Sequence, residues 1–314
     1  MKDRLSQNDV SNRVNVESPA AVRDAVLALY AARYPGADLA VIERAFADAE
    51  ALFEGRFPGY LACDTLYHDL RHTLDITLAT ARLIEAHDRV HAEPERLGVR
   101  RAILGVVIAL LHDSGYLKRT NEAHIENGAV FTKTHVTRSG EFLRQYLPTI
   151  GFGAEADLAA ELVHFTGYER DLDDIKVGGL DRVLGCIVGT ADLIGQMSDR
   201  MYLEKCRAFL YEEFVWGSVA RERLPDGREI VRYASADDLI FKTPGFYEYV
   251  ARERILNKLG AQDRYAAVHF GGPNLYQEEI DRNMRYLRDA LASADLSRLR
   301  RACYSLSQRQ RKAA

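Results

Sequence analysis

Apolar residues recur at spacings of three and four along most of the chain, the pattern of helices that bury one face and leave the other in water. Over residues 21–33 the apolar positions are Val22, Ala25, Val26, Leu29 and Tyr30. Ser18-Pro19 supplies a cap and a first helical residue, and Pro35-Gly36 a stop. Residues 39–53 repeat the pattern through Ile42, Ala45, Phe46, Ala49 and Leu52. A longer helix is predicted from His68 to His87, carried by Leu74, Ile76, Leu78, Ala81, Leu83 and Ile84, and another from Val99 to Leu111. The same spacing predicts helices from about residue 126 through His135, then over 137–146, 154–165, 181–198, 201–215, 245–259 and 274–301.

Two stretches depart from this period. Alternation from Leu224 to Val231 around Asp226-Gly227 predicts a small hairpin. Residues 1–17 are polar and aperiodic, and are expected to form a disordered tail. The sequence shows no long internal repeat and no Gly/Ser linker. The fold class is therefore all-α: one helical domain over 18–314, with a core at about 60–200, a C-terminal helical extension at about 201–314 and at most the small hairpin.

Bulk properties narrow the partners. At 314 residues, 47% hydrophobic and 28% charged, the chain can bury a large core. Its net charge of -4 gives no broad basic surface for a nucleic-acid duplex or an anionic membrane, so neither is expected as a partner. The basic stretch from Arg309 to Lys312 reads as a solvated tail. Cys63, Cys186, Cys206 and Cys303 are scattered, as in a reduced cytoplasmic protein. A polar N-terminus gives no export signal, and the longest apolar run, Ala102 to Leu111, is too short to span a bilayer. A cytoplasmic location is expected, and a homodimer is compatible with it.

Three places carry the chemistry. In Tyr67-His68-Asp69-Leu70-Arg71-His72 two imidazoles stand four residues apart, which on a helix puts them on one face. His112-Asp113 ends an apolar run, and Asp192 lies inside the apolar stretch Gly189-Thr190-Ala191-Asp192-Leu193-Ile194. A carboxylate there is costly unless a cation or hydrogen bonds offset its desolvation. The three places together read as a metal site. Imidazole nitrogen and carboxylate oxygen suit Zn, Mn, Fe or Mg-class ions.

This ordered set resembles the HD superfamily of metal-dependent phosphohydrolases, over roughly residues 60–200. Its first portion is closest to the cyclic nucleotide phosphodiesterases. Their pattern Y-H-N-x-x-H-x-x-D is met by Tyr67, His68, His72 and Asp75, with Asp69 in place of Asn. A second pattern, H-D with Asn eight residues on, is met by His112, Asp113 and Asn121, without the inner D-H-P-G. The resemblance implies an HD-type helical bundle in which His72, His112, Asp113 and Asp192 hold a first divalent ion and Asp113 bridges to a second. It further implies that a metal-bound hydroxide attacks phosphorus while His68 protonates the leaving oxygen.

His135 and His164 fall between the His-Asp pair and Asp192, an order similar to that of HD-GYP phosphodiesterases and HD-type diiron oxygenases, whose histidines here bind the second ion. Tyr116 and Glu169 depart from the HD-GYP pattern, which argues against a cyclic dinucleotide. Lys118, Arg119 and Arg138, with Lys133 and Arg71 nearby, are candidates to bind substrate phosphate. Phe214, Phe246 and neighbouring aromatics, with Gln196 or Gln277, are candidates for a base pocket. The expected function is a phosphohydrolase cleaving a nucleotide phosphodiester such as a cyclic mononucleotide. The rival readings are a mixed-valent diiron oxygenase and a non-catalytic nucleotide-sensing module.

Overall fold

A computed structural model describes residues 4–299. It is all-helical apart from one small antiparallel hairpin. The N-terminal half comprises α1 (Pro19–Arg33), α2 (Ala40–Phe53), α3 (Leu70–Val90), α4 (Gly98–Leu111), α5 (His135–Tyr146) and α6 (Ala156–Leu162), followed by α7 (Gly179–Ser198). Then come α8 (Tyr202–Lys205), a π-helical turn (Cys206–Leu210) and α9 (Tyr211–Trp216), which run on as one rod. Strands β1 (Arg221–Arg223) and β2 (Glu229–Val231) pair with Glu222 opposite Ile230. Helix α10 (Ala236–Phe246), which runs on through π-helical turns at Tyr247–Ala251 and Arg254–Lys258, is followed by α11 (Arg264–Phe270) and α12 (Leu275–Ala292). The expected helical residues 300 and 301, Cys303 and the basic stretch 309–312 lie outside the described residues.

The centre is α3, packed between α4 and α7, with α1 and α11 on its other sides. Its apolar face is buried as the spacing requires: Leu74, Ile76, Ala81, Leu83 and Ile84 are all 0% exposed. Close helix approach depends on small residues. A Cβ at Gly189 of α7 would strike the carbonyl of Phe165, and one at Gly115 would strike the carbonyl of His135. The latter contact lets the turn after Asp113 lie against the start of α5, where Gly115 N–H donates to Ser139 Oγ at 2.8 Å.

The structure corrects several boundaries. Helix α3 begins at Leu70, because Asp69 caps it by accepting from His72 N–H at 3.1 Å. His68 therefore precedes the helix instead of standing one turn before His72 on its face. The helix expected from about residue 126 to His135 is a loop with one 3₁₀ turn (Gly128–Phe131), pinned where Gly128 N–H donates to Asp64. The helix expected over 154–165 shortens to α6 plus 3₁₀ turns. The helix expected from 245 starts at Ala236, where the Ser235 side chain caps it, and α11 was not expected at all.

The predicted tail is also wrong for residues 4–17, which are fastened to the core. Arg4 donates to Ser198 O at 2.9 Å and pairs with Glu279 at 3.2 Å. Asp9 pairs with Arg82 of α3 at 2.6 Å, Arg71 donates to Ser6 O at 2.6 Å, and Val16 is wholly buried. Charge pairs and an Asx-type loop, in which Asp9 accepts from Arg13 and Val14 N–H, do here what periodic apolar residues do elsewhere. No helix among the described residues is long and apolar enough to cross a membrane. The described cysteines, Cys63, Cys186 and Cys206, are buried free thiols.

Candidate metal centre and its cavity

His72 is set by the first turn of α3, His112 and Asp113 by the end of α4, and Asp192 by the last third of α7. Because α4 and α7 both pack on α3, the three places meet. His72 Nε2 lies 3.3 Å from Asp113 Oδ2 and 3.6 Å from Asp192 Oδ1. His112 Nε2 lies 3.1 Å and 3.8 Å from the same oxygens. His72, His112 and Asp113 each offer one donor atom, all within 4.8 Å of one another, and the group can hold a metal ion.

The donor set fits a cation on a second count. His112 Nε2 and Asp113 Oδ2 are buried and have no hydrogen-bond partner, although polar atoms surround them. His112 Nδ1 faces Ala109 O at 2.8 Å, so it carries a proton, and Nε2 is the nitrogen turned to the centre. Burial disfavours a charged ring at His112, yet the adjacent Asp113 and then Asp192 outweigh it and push its pKa up to about 9. Burial likewise works against the charge on Asp113, but His112 and His68 hold it well below the usual carboxylate range. Asp192 is raised by burial and further by Asp113, against the pull of His112 and His72. The carboxylates thus draw protons onto their imidazole neighbours, and a divalent ion would displace those protons.

His68 is held from a distant part of the chain. Glu213 of α9, 3% exposed at its side chain, places Oε2 2.5 Å from His68 Nδ1. Its Oε1 accepts from the backbone N–H of Leu66 at 2.7 Å, Tyr67 at 2.6 Å and His68 at 3.3 Å. One carboxylate therefore fixes both the segment and the ring it carries. Burial lowers the His68 pKa, but Glu213 and then Asp113 more than reverse this and the net direction is upward. The ring stacks on Tyr116 at 4.5 Å, and Tyr116 stacks on His135 at 4.4 Å.

His135 reaches the centre and His164 does not. His135 Nδ1 faces Thr132 O at 2.8 Å, and Nε2 lies 3.7 Å from Asp113 Oδ1. His164 is absent from the cavity lining, and the charges that act on it are Arg170, Glu169, Glu161 and Arg144. It sits in the 3₁₀ turn after α6, outside the residues that line the cavity, and the expectation that it is a ligand finds no support in the grouping of donors. The three phosphate candidates are also corrected, because none of them lines the cavity and each is engaged elsewhere in the protein. Lys118 pairs with Asp64 at 2.6 Å and donates to Ile125 O. Arg119 pairs with Glu141, and Arg138 grips Glu122 with two nitrogens at 2.9 Å. Asp75, the last position of the first motif, faces Asp199, Arg71 and Lys205 rather than the metal centre.

The centre opens into a cavity of about 640 Å³, within the range of small-molecule sites. Its far walls come from the extension: Leu210, Phe214, Val219, Leu239, Phe246 and Val250. Of the base-pocket candidates, Phe214, Phe246 and Gln196 line it, while Gln277 bonds Tyr247 and Asp281 instead. Gln196 donates to Asp192 Oδ1 at 3.4 Å. Sequence reasoning missed Glu213, Glu222, Arg232 and Lys242, all in the extension. For Glu213 the signal was present: an acid inside an aromatic helical stretch, the same feature that singled out Asp192. No protein-family model, curated protein or solved structure matches the chain, so the reading of the site rests on its residues and their geometry.

Proposed function

We propose that the protein is a metal-dependent phosphohydrolase of the HD type that cleaves a phosphoester of a nucleotide. The observation that carries this reading is the convergence of His72, His112, Asp113 and Asp192 on one point, with two donor atoms left unpartnered, beside a histidine held separately by Glu213. A divalent ion at that point would activate water and neutralise charge developing on phosphorus.

The chain's own groups divide the remaining work. Glu213 holds Nδ1 of His68, so Nε2 is the nitrogen free to act, and the neighbouring carboxylate moves the ring's pKa upward, the direction a proton donor needs. Nε2 can then give that proton to the leaving oxygen as the phosphorus-oxygen bond breaks. Tyr116, packed between His68 and His135, keeps both rings in their planes. The apolar walls exclude water from the body of the substrate.

His72, His112, Asp113 and Asp192 supply four donors for one ion. A second ion would find Asp113 Oδ1 and His135 Nε2, 3.7 Å apart, without His164. One tightly held ion per chain is therefore proposed, with any second held more weakly. The same placement of His164 disfavours the diiron oxygenase reading, which draws on six ligands.

Metal analysis run beside turnover on cyclic and linear nucleotides tests the proposal. His72→Ala and Asp113→Ala should lose both metal and turnover. His68→Ala should keep its metal while kcat falls by about 10²- to 10⁴-fold, the usual contribution of a general acid. Metal content with no turnover on any nucleotide would favour the sensing module, and a fully active His68→Ala would remove its acid role.

A further inference from the structure

Cations at the cavity mouth take no part in the chemistry above. Lys133, two residues before His135, and Arg232, which follows β2, both line the cavity, and both are bound to one carboxylate on β1. Lys133 Nζ donates to Glu222 Oε1 at 2.7 Å, and an Arg232 guanidinium nitrogen donates to Oε2 at 3.3 Å. Lys242 stands on the same edge, donating to Arg232 O at 2.7 Å and paired with Asp238 at 2.9 Å. The Lys133 and Arg232 side chains are 45% and 58% exposed, so they face the entrance and not the floor.

Two cations on one carboxylate leave positive charge unneutralised beside an open cavity. The carboxylate belongs to a hairpin whose root is fixed, since a Cβ at Gly217 would lie 2.5 Å from Thr132 Oγ1. Its strands, by contrast, are largely exposed on both faces. Exposed ion pairs are weak and exchange readily. A phosphate carries more charge than a carboxylate and offers three acceptor oxygens to an arginine fork and an ammonium.

We propose that Lys133 and Arg232 form a second anion subsite at the cavity mouth, filled in the free protein by the Glu222 carboxylate. The substrate would then carry a second phosphate there, besides the phosphoester at the metal centre. Its class is a bis-phosphorylated compound whose apolar or aromatic body lies against Leu193, Phe214 and Phe246. The subsite stands on its own geometry, whereas the substrate class rests on the phosphohydrolase reading.

Two experiments keep these apart. Inorganic phosphate titrated calorimetrically into chelator-treated protein probes the subsite alone. Glu222→Gln should bind it about tenfold more tightly than the parent, and a Lys133→Ala, Arg232→Ala double variant about tenfold more weakly. With metal-loaded protein, adenosine 3′,5′-bisphosphate is compared with adenosine 5′-monophosphate. The double variant should raise KM for the bisphosphate about tenfold and by several-fold more than it raises KM for the monophosphate. Phosphate binding identical in all three proteins would overturn the subsite. So would turnover of both nucleotides with KM values indifferent to the double variant. Tighter phosphate binding by Glu222→Gln, with no turnover of either nucleotide, would uphold the subsite and overturn the phosphohydrolase reading.

Discussion

Four donors converge on the Glu213 carboxylate, three backbone N–H groups and one imidazole nitrogen, at a side chain almost closed to solvent. Glutamine at this position is nearly isosteric, and its oxygen can keep the backbone bonds. Its amide N–H₂ would face His68 Nδ1 and force that nitrogen to accept, moving the ring proton to Nε2 and removing the carboxylate's charge. Glu213→Gln should therefore lower kcat about tenfold or more with metal content unchanged, and shift the pH profile of kcat. An unaltered kcat and profile would mean that Glu213 only holds the backbone. The candidate donors could be picked from sequence because metal chemistry demands particular residue types, and the structure brings His72, His112, Asp113 and Asp192 together. Glu213 could be marked only as an acid in an aromatic helical stretch, since its partner His68 lies 145 positions away and no local pattern joins them. His164 shows the converse: a histidine in the right interval of sequence that is not among the residues lining the cavity.

At the scale of elements, amphipathic period identified the long helices because burial of one face is what stabilises them: α2, α4 and α7 begin close to where the apolar period does, and α1 and α12 begin where Ser18 and Asn274 cap them. It failed where side-chain polarity, not apolar spacing, fixes the backbone. Asp69 ends the helix expected to carry His68, and the Asp9 loop orders a stretch with no period. The Asp9–Arg82 pair is buried on both sides, so removing one partner leaves the other charge uncompensated. Asp9→Asn should cost about 3 to 5 kcal/mol in denaturant unfolding and open the segment around Arg13 to trypsin. Burial would raise the Asp9 pKa, but Arg82, then the Val14 N–H and the Ser11 hydroxyl, bring it down to about 2. The folded value lies below that of the unfolded chain, so this stabilisation is complete above about pH 4 and drains away as pH falls toward 2. The parent should accordingly lose stability faster than Asp9→Asn on acidification through that window. Parallel acid profiles for the two proteins would show that the clasp contributes nothing.

The whole molecule is a compromise between holding a cation and being stable without one. Helices α3, α4 and α7 bring two carboxylates and two imidazoles to one buried point, while the extension adds Glu213 and the apolar walls, so neither part makes the site alone. In the metal-free protein Asp192 is held with its pKa raised by burial and by Asp113, which means that its ionised form opposes folding at neutral pH. Asp192→Asn removes that opposition, so the chelator-treated variant should unfold at a higher temperature than the chelator-treated parent. The sign reverses once metal is present. An ion at a hundredfold its dissociation constant stabilises the folded state by about 2.7 kcal/mol, which for a chain of this size corresponds to a rise in Tm of roughly 4 °C. The parent should show that rise, and His112→Ala and Asp192→Asn should show little or none. An Asp192→Asn protein that is no more stable without metal, yet keeps the full metal-dependent rise, would place Asp192 outside the centre and leave His72, His112 and Asp113 to hold the ion.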